Sequence, residues 1–326
     1  MKKTHLHLFI YLMAVLSVVT AFHYTRLFFP LLNGADSNAS QKETDVTQTQ
    51  LAVANASTEG EKASSDPENE VTVDAVQIGS EDVSLYSQPD SNSSEVTTVT
   101  RGEYVEYLDT TNGWYHVIVN NEYEGYVSSL YSERCTYEEA VSPSSLKDTV
   151  VVLNPGHGGD DTGALSNDEY FYEKDVTLDT ALVIQETLEA AGCTVILTRD
   201  SDTTESLDDI VADSIDNQAD FFISLHYDST EYMNEASGTT TYYYYKKYAE
   251  LAETVNEVLY ATLPLENRGV EVGNFQVLRE NTRPALLLEL GYMNNDDDFQ
   301  TFITQSYQQQ VADALLDGLT AYVEHN

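Results

Sequence analysis

The feature that most constrains this chain is an alternation that begins at Thr149. Thr149–Asn154 is a β-branched run. Asp175–Ala191 then repeats apolar residues at Leu178, Ala181, Leu182 and Leu188, a helical period, and stops at Gly192, a residue suited to a left-handed cap. Thr194–Thr198 and Asp220–His226 read as strands. Thr239–Thr241 runs into Tyr242–Tyr245, a strand with aromatics on both faces rather than a sugar platform. Tyr248–Leu263 reads as a helix, Phe275–Leu278 and Ala285–Glu289 as strands, and Tyr307–Tyr322 as a closing helix. Such alternation predicts an α/β domain: a mixed, mostly parallel sheet covered by helices on both faces. Sheets of this kind carry their chemistry at strand ends, where the loops begin.

Upstream the texture differs. Val83–Tyr86, Glu95–Val99, Tyr104–Leu108, Trp114–Val119 and Gly125–Val127 are short β-type runs. Gln88-Pro89-Asp90, Arg101-Gly102, Asn112-Gly113 and Asn120-Asn121 punctuate them as turns, so a small all-β barrel is predicted. Gly102-Glu103-Tyr104-Val105, Gly113-Trp114-Tyr115-His116-Val117 and Gly125-Tyr126-Val127 resemble the pattern of a bacterial SH3-like wall-binding module. The likeness runs from about Val73 to Tyr131, with Tyr126 where that family usually has Trp. Trp114, the one tryptophan, reads as a core residue of the barrel.

The N-terminus is an export segment. Lys2 and Lys3 precede an apolar stretch from Leu6 to Phe22. Cleavage after Ala21 fits the small residues Val19 and Ala21. Apolar residues resume at Leu27, Phe28, Phe29, Leu31 and Leu32, which lengthens the segment toward a span of roughly 20 residues and favours an uncleaved anchor. Either way the remainder is expected outside the cytoplasm, touching the membrane only through this segment. The expected organisation is therefore an export signal or anchor over 1–32, a disordered tether over 33–70, the barrel over 71–133, a linker over 134–147 and the α/β domain over 148–326. A monomer is expected.

Charge excludes some partners. A net charge of −40 argues against nucleic acid, whose phosphates would repel it. It equally argues against electrostatic docking on anionic lipids or wall polymers. The two cysteines, Cys135 and Cys193, are far apart and form neither a disulfide framework nor a multi-cysteine zinc site.

The chemistry-bearing residues sit at strand exits. His157 follows the first strand of the α/β domain, on the glycine-rich stretch Asn154–Ala164. His226 ends the strand Phe221–Leu225, and Glu289 ends Ala285–Leu288. Glu173 lies just before a helix, in Tyr172-Glu173-Lys174-Asp175. Of seven histidines, three (His5, His7, His23) lie in or beside the export segment, His116 is in the barrel and His325 is next to the C-terminus. The two that remain both end strands. Two neutral imidazoles and a carboxylate make a three-ligand zinc site with one position open to water. Glycines beside His157 let backbone pass close to metal and substrate. Other readings are weaker. Gly156-x-Gly158-Gly159 lacks the Lys-Ser/Thr of a phosphate loop, and a strand-end histidine can be a merely satisfied polar residue. No Gly-x-Ser-x-Gly occurs and neither cysteine adjoins a histidine motif, which disfavours a nucleophilic enzyme.

These motifs together resemble the zinc-dependent N-acetylmuramoyl-L-alanine amidases. The likeness rests on Asn154–Ala164, Glu173-Lys174-Asp175, Ser224–Asp228 and Pro284–Asn294, with Leu197-Thr198-Arg199 and Arg268-Gly269-Val270 in support, and spans about Asp148 to Glu324. It implies that His157, Glu173 and His226 bind Zn2+ and that Glu289 is the catalytic acid/base. It implies peptidoglycan as substrate, cut at the amide between N-acetylmuramic acid and L-alanine, at the cell envelope. A zinc peptidase acting on the stem peptide and a non-catalytic wall-binding protein are the alternatives. Three positions depart from the family pattern: Asn154 for the usual Asp, Ile210 near a frequent Arg, and Tyr227-Asp228 for Ala-Asn. Asn154 is expected to loosen the orientation of the ligands.

Overall fold

The computed structural model describes residues 70–326. The export segment and nearly all of the tether lie outside these. Among the described residues, no helix is long and apolar enough to cross a membrane.

Seven strands form the first body: β1 (Glu70–Ile78), β2 (Val83–Tyr86), β3 (Glu95–Val99), β4 (Tyr104–Thr111), β5 (Trp114–Val119), β6 (Tyr123–Ser128) and β7 (Ser132–Ala140). All pair antiparallel, in the order β3-β2-β6-β5-β4-β1-β7. Thr111 registers with Trp114, leaving Asn112 and Gly113 as a two-residue loop at φ 51° and 83°. Paired positive φ values match the right-handed twist of the flanking strands, which is why Asn-Gly works there.

Two expectations are corrected here. Trp114 is half-buried and lies outside the core, which is made of Val76, Ile78, Leu85, Val99, Val105, Val117, Val127 and their neighbours. Strand alternation explains it: β5 buries Val117 and Val119, so Trp114 does not share their inner register. It packs edge-on to Tyr86, ring centroids 5.6 Å apart, and lines a cavity of about 470 Å³ with Leu130 and Tyr131. Secondly, the linker expected over 134–147 begins inside a strand, Ser132–Ala140. It pairs with β1 from Ile78↔Ser132 to Glu70↔Ala140. Its partner lies some sixty residues away, where no local periodicity reports it.

The second body contains β8 (Val150–Pro155), α1 (Glu173–Ala191), β9 (Thr194–Leu197), α2 (Leu207–Asp216), β10 (Phe221–Asp228), β11 (Thr239–Tyr243), α3 (Ala249–Thr262), β12 (Asn267–Val272), α4 (Gln276–Arg279), β13 (Ala285–Tyr292), α5 (Asp296–Phe302) and α6 (Gln305–His325). The sheet order is β12-β11-β13-β10-β8-β9. Every pair is parallel except β11 with β13. Helix α1 ends at Gly192, in the left-handed conformation at φ 100°. Phe275–Leu278, expected as a strand, is instead the start of one helical turn, which buries the adjacent Val277 and Leu278.

Alternation sorts the strands between two cores. Val151, Leu153, Phe221, Ile223, Leu225, Leu286 and Leu288 face the long helices α1, α3 and α6. Val152, Phe222, Ala285 and Leu287 face the shorter α2 and α4. The described residues belong to one compact unit, and its two bodies are fastened by specific bonds. The buried Arg283 donates from Nη1 to Glu70 Oε1 at 2.9 Å and from Nε to the Ala219 carbonyl at 2.6 Å. Tyr104 N donates to the Tyr245 hydroxyl at 2.9 Å, which donates onward to the Arg279 carbonyl at 2.6 Å. Lys247 Nζ lies 2.6 Å from Glu139 Oε1.

Candidate metal centre

β8, β10 and β13 run parallel and adjacent, so their C-terminal ends open on one edge. His226 and Glu289 are register partners across β10 and β13. Counting in twos from Phe222 and Leu287 puts both on the face covered by the shorter helices, which leaves that end open. His157 lies two residues beyond β8, and Glu173 is the first residue of α1.

The loop is built to admit the rings. His157 sits at φ 64°, a left-handed backbone costing on the order of 1–3 kcal/mol for a non-glycine residue. Glycines clear the space around it. A Cβ on Gly156 would collide with the His226 ring, and one on Gly163, at φ 63°, would come within 2.5 Å of Glu173 Oε2.

Glu173 is the hub. Its Oε1 lies 3.0 Å from His226 Nδ1 and accepts from Tyr227 N at 3.0 Å. Its Oε2 lies 3.1 Å from His157 Nε2 and accepts from Ala164 N at 2.8 Å. On the far side of the ring, His157 Nδ1 meets Asp161 Oδ2 at 2.8 Å. One donor atom each from His157, Glu173 and His226 fall within 4.8 Å of one another, an arrangement compatible with a metal ion. Burial alone would raise the Glu173 carboxyl, but the two imidazoles outweigh it and hold it well below the usual range. Burial alone would lower His157, but Glu173 and Asp161 outweigh it and lift the ring to about 9.

Glu289 differs from Glu173. Burial, then the charges of Glu173 and Asp228, push its carboxyl well above the ordinary value. Its Oε2 is buried without a hydrogen-bond partner. A carboxyl so placed can take and return a proton.

The departures from the family pattern fall outside the cluster or support it. Asn154 accepts from Ser224 Oγ at 2.7 Å and donates to Thr198 Oγ1 at 3.0 Å. It ties β8 to its neighbours and makes no hydrogen bond to His157, Glu173 or His226, so the expected loosening of the ligands finds no contact to act through. Ile210 is buried on the inner face of α2. Tyr227 is fully buried, with its hydroxyl 2.8 Å from Thr180 Oγ1, and it supplies the backbone N–H on Glu173.

A sequence profile of the N-acetylmuramoyl-L-alanine amidases matches residues 151–321, and one of the bacterial SH3 domain matches 81–133. The chain belongs to the N-acetylmuramoyl-L-alanine amidase family. Among curated proteins it is similar to the probable cell wall amidase LytH of Staphylococcus saprophyticus, 36% identical over 245 residues that cover 74% of this chain and 82% of that one. The LytH protein of Staphylococcus aureus is 34% identical with the same coverage. The solved catalytic domain of CwlV, an amidase from Bacillus (Paenibacillus) polymyxa var. colistinus, is 34% identical at a TM-score of 0.52 and covers 55% of this chain and 99% of its own. An amidase from Clostridium difficile 630 is 32% identical at a TM-score of 0.53, covering 55% and 98%.

Sequence reasoning left Asp161 and Arg199 without roles. Asp161 carries a signal, four residues after His157 on the same loop. Arg199 stands inside a matching motif, but most of its partners are main-chain carbonyls that no sequence pattern displays.

Proposed function

We propose that this chain hydrolyses the amide between N-acetylmuramic acid and L-alanine of peptidoglycan at the cell envelope, with zinc as cofactor. The observation that carries this is the convergence of His157, Glu173 and His226 beside Glu289, whose inner oxygen has no partner. The donor set suits zinc: two imidazole nitrogens and one carboxylate oxygen, with the far nitrogen of His157 already engaged by a carboxylate. Glycine backbone keeps the space clear. A zinc ion held there supplies Lewis acidity and lowers the pKa of water toward about 7. Glu289 accepts the proton of the attacking water and delivers it to the leaving alanine nitrogen. Its burial beside two other carboxylates makes it willing to hold that proton between the two steps. The seven-stranded body, which runs through β7 to Ala140, would bring the catalytic unit over 148–326 to the wall, with Trp114, Tyr86 and Tyr131 as its contact face.

Digestion of purified wall tests this. New L-alanine N-termini should appear without new reducing sugar ends, and a chelator should stop their release. New N-termini at any other stem residue would make the protein a peptidase, and none at all a non-catalytic binder.

A further inference from the structure

The loop joining β9 to α2 supplies no metal-ligating residue, yet it grips both segments that bracket His157 and Glu173. Arg199 anchors it. The side chain is buried and makes no ion pair among the described residues. Its hydrogen bonds run almost entirely to main chain. Nε donates to the Pro155 carbonyl at 2.9 Å. Nη2 donates to the carbonyls of Gly156 at 2.9 Å and Lys174 at 2.8 Å, and to Thr177 Oγ1 at 3.1 Å. Nη1 donates to the Ser201 carbonyl at 3.1 Å. One planar group therefore binds the residue just before His157 and the residue just after Glu173.

The rest of the loop closes over the other side. Asp202 Oδ1 accepts from Gly159 N at 2.7 Å, and Thr204 Oγ1 donates to the Gly158 carbonyl at 2.8 Å. Lys174 Nζ bridges the Gly159 carbonyl and Asp202 Oδ2, both at 2.8 Å. Burying a guanidinium is costly, and the carbonyl dipoles, Thr177 Oγ1 and the neighbouring charges of Asp202 and Asp175 offset it here.

We propose that Arg199 is a positioning residue for the metal centre, setting the separation of the His157 loop from Glu173 before any metal binds. The inference rests on His157, Glu173 and His226 being the ligands. Arginine is required because its fixed fork reaches both segments at once, whereas a lysine ammonium is a single point.

The test is zinc affinity of the full chain, by chelator competition, for Arg199→Lys and Arg199→Gln, with circular dichroism to establish folding. Glu70→Gln serves as the comparator, since it loosens the Arg283 pair far from the metal edge. The Arg199 variants should bind zinc roughly 10–100-fold more weakly, the usual loss for a residue that orients ligands. Glu70→Gln should bind zinc like the parent although its melting temperature falls. Folded Arg199 variants with parental zinc affinity would overturn the proposal, as would an equal zinc loss in Glu70→Gln. If neither Arg199 variant folds, Asp202→Ala decides, because it opens the clasp at Gly159 from the exposed side. Parental zinc affinity there overturns the proposal, and a several-fold loss supports it. His157→Ala in the same assay separates the two claims. Full zinc retention by that variant defeats the ligand assignment itself, whereas its loss with zinc intact in Arg199→Lys defeats only the positioning role.

Discussion

The two ends of the catalytic sheet both bury charge and treat it differently. At the N-terminal ends of β10 and β13, Arg283 meets Glu70 and the carbonyls of Ala219 and Glu138, and Asp220 Oδ2 accepts from Val150 N at 2.7 Å. At the C-terminal ends, Glu173 is shared between two imidazoles, His157 occupies a left-handed backbone, and one oxygen of Glu289 has no partner. The first end spends its charges on fixed protein partners, so it can only fasten. The second leaves valences open, which costs stability and leaves room for a ligand and a moving proton. Both rest on the same strands, β10 and β13, at opposite ends.

The sharpest way to break this contrast is at Glu289. Glu289→Gln should lower kcat by roughly 10²–10⁴ while zinc content stays at the parental level, because only the proton carrier is removed. Glu173→Gln should instead release zinc. If metal analysis finds the opposite pattern, the two carboxylates have exchanged roles.

At the other end, Arg283→Met should cost about 1–3 kcal/mol, since it removes the donor to the Ala219 carbonyl and leaves the half-buried Glu70 only Gln218 Nε2. Denaturant unfolding measures this. Activity per folded molecule at low temperature should hardly change. A large loss of turnover without a loss of stability would mean that both ends are functional. By the same logic, cutting away residues 70–140 should destabilise what remains, because it uncovers the buried Tyr245 and Tyr248 as well as unpairing Arg283.

Trp114→Ala separates fastening of the two bodies from the wall binding proposed for the barrel. It should weaken sedimentation with insoluble wall by roughly tenfold, about 1.4 kcal/mol, and leave cleavage of soluble muropeptides as before. Unaltered wall binding would leave fastening as the only duty.

The smallest effect concerns Glu103, buried between the barrel and the tyrosines of the α/β domain. Burial raises its carboxyl above 4.5, with Thr100 N, Tyr244 and Arg279 opposing. A raised folded pKa means the native state holds the proton more tightly. Its contribution to stability is complete below about pH 4.5 and is lost as pH rises through the folded value. Glu103→Gln should therefore flatten the difference in melting temperature between pH 4.5 and pH 7 by a small amount, with the parent showing the steeper fall.

Some of this could be seen in the chain before folding. Strand ends, the Gly192 cap and the placement of two isolated histidines follow from local periods and composition, and the structure does bring His157, Glu173, His226 and Glu289 to one edge. What could not be seen depends on distant partners. The β1–β7 ribbon exists only because residues some sixty positions apart pair, and Glu133, Arg134, Glu138 and Glu139 make β7 look like a polar loop. Trp114 was misplaced because size suggests a core, while strand parity decides the side. Arg199 is silent because carbonyl acceptors have no residue identity.

The register of His226 against Glu289 has one more consequence. In neighbouring parallel strands the gap between such partners is set by main-chain hydrogen bonding, about 4.8 Å for any sequence. The backbone separation of His226 from Glu289 is thus a lattice constant of the sheet. Mutation can exchange either side chain, tilt a loop or rebuild the barrel, and the spacing survives. An engineer wishing to transplant this chemistry would need two adjacent parallel strands in register, and only then a loop.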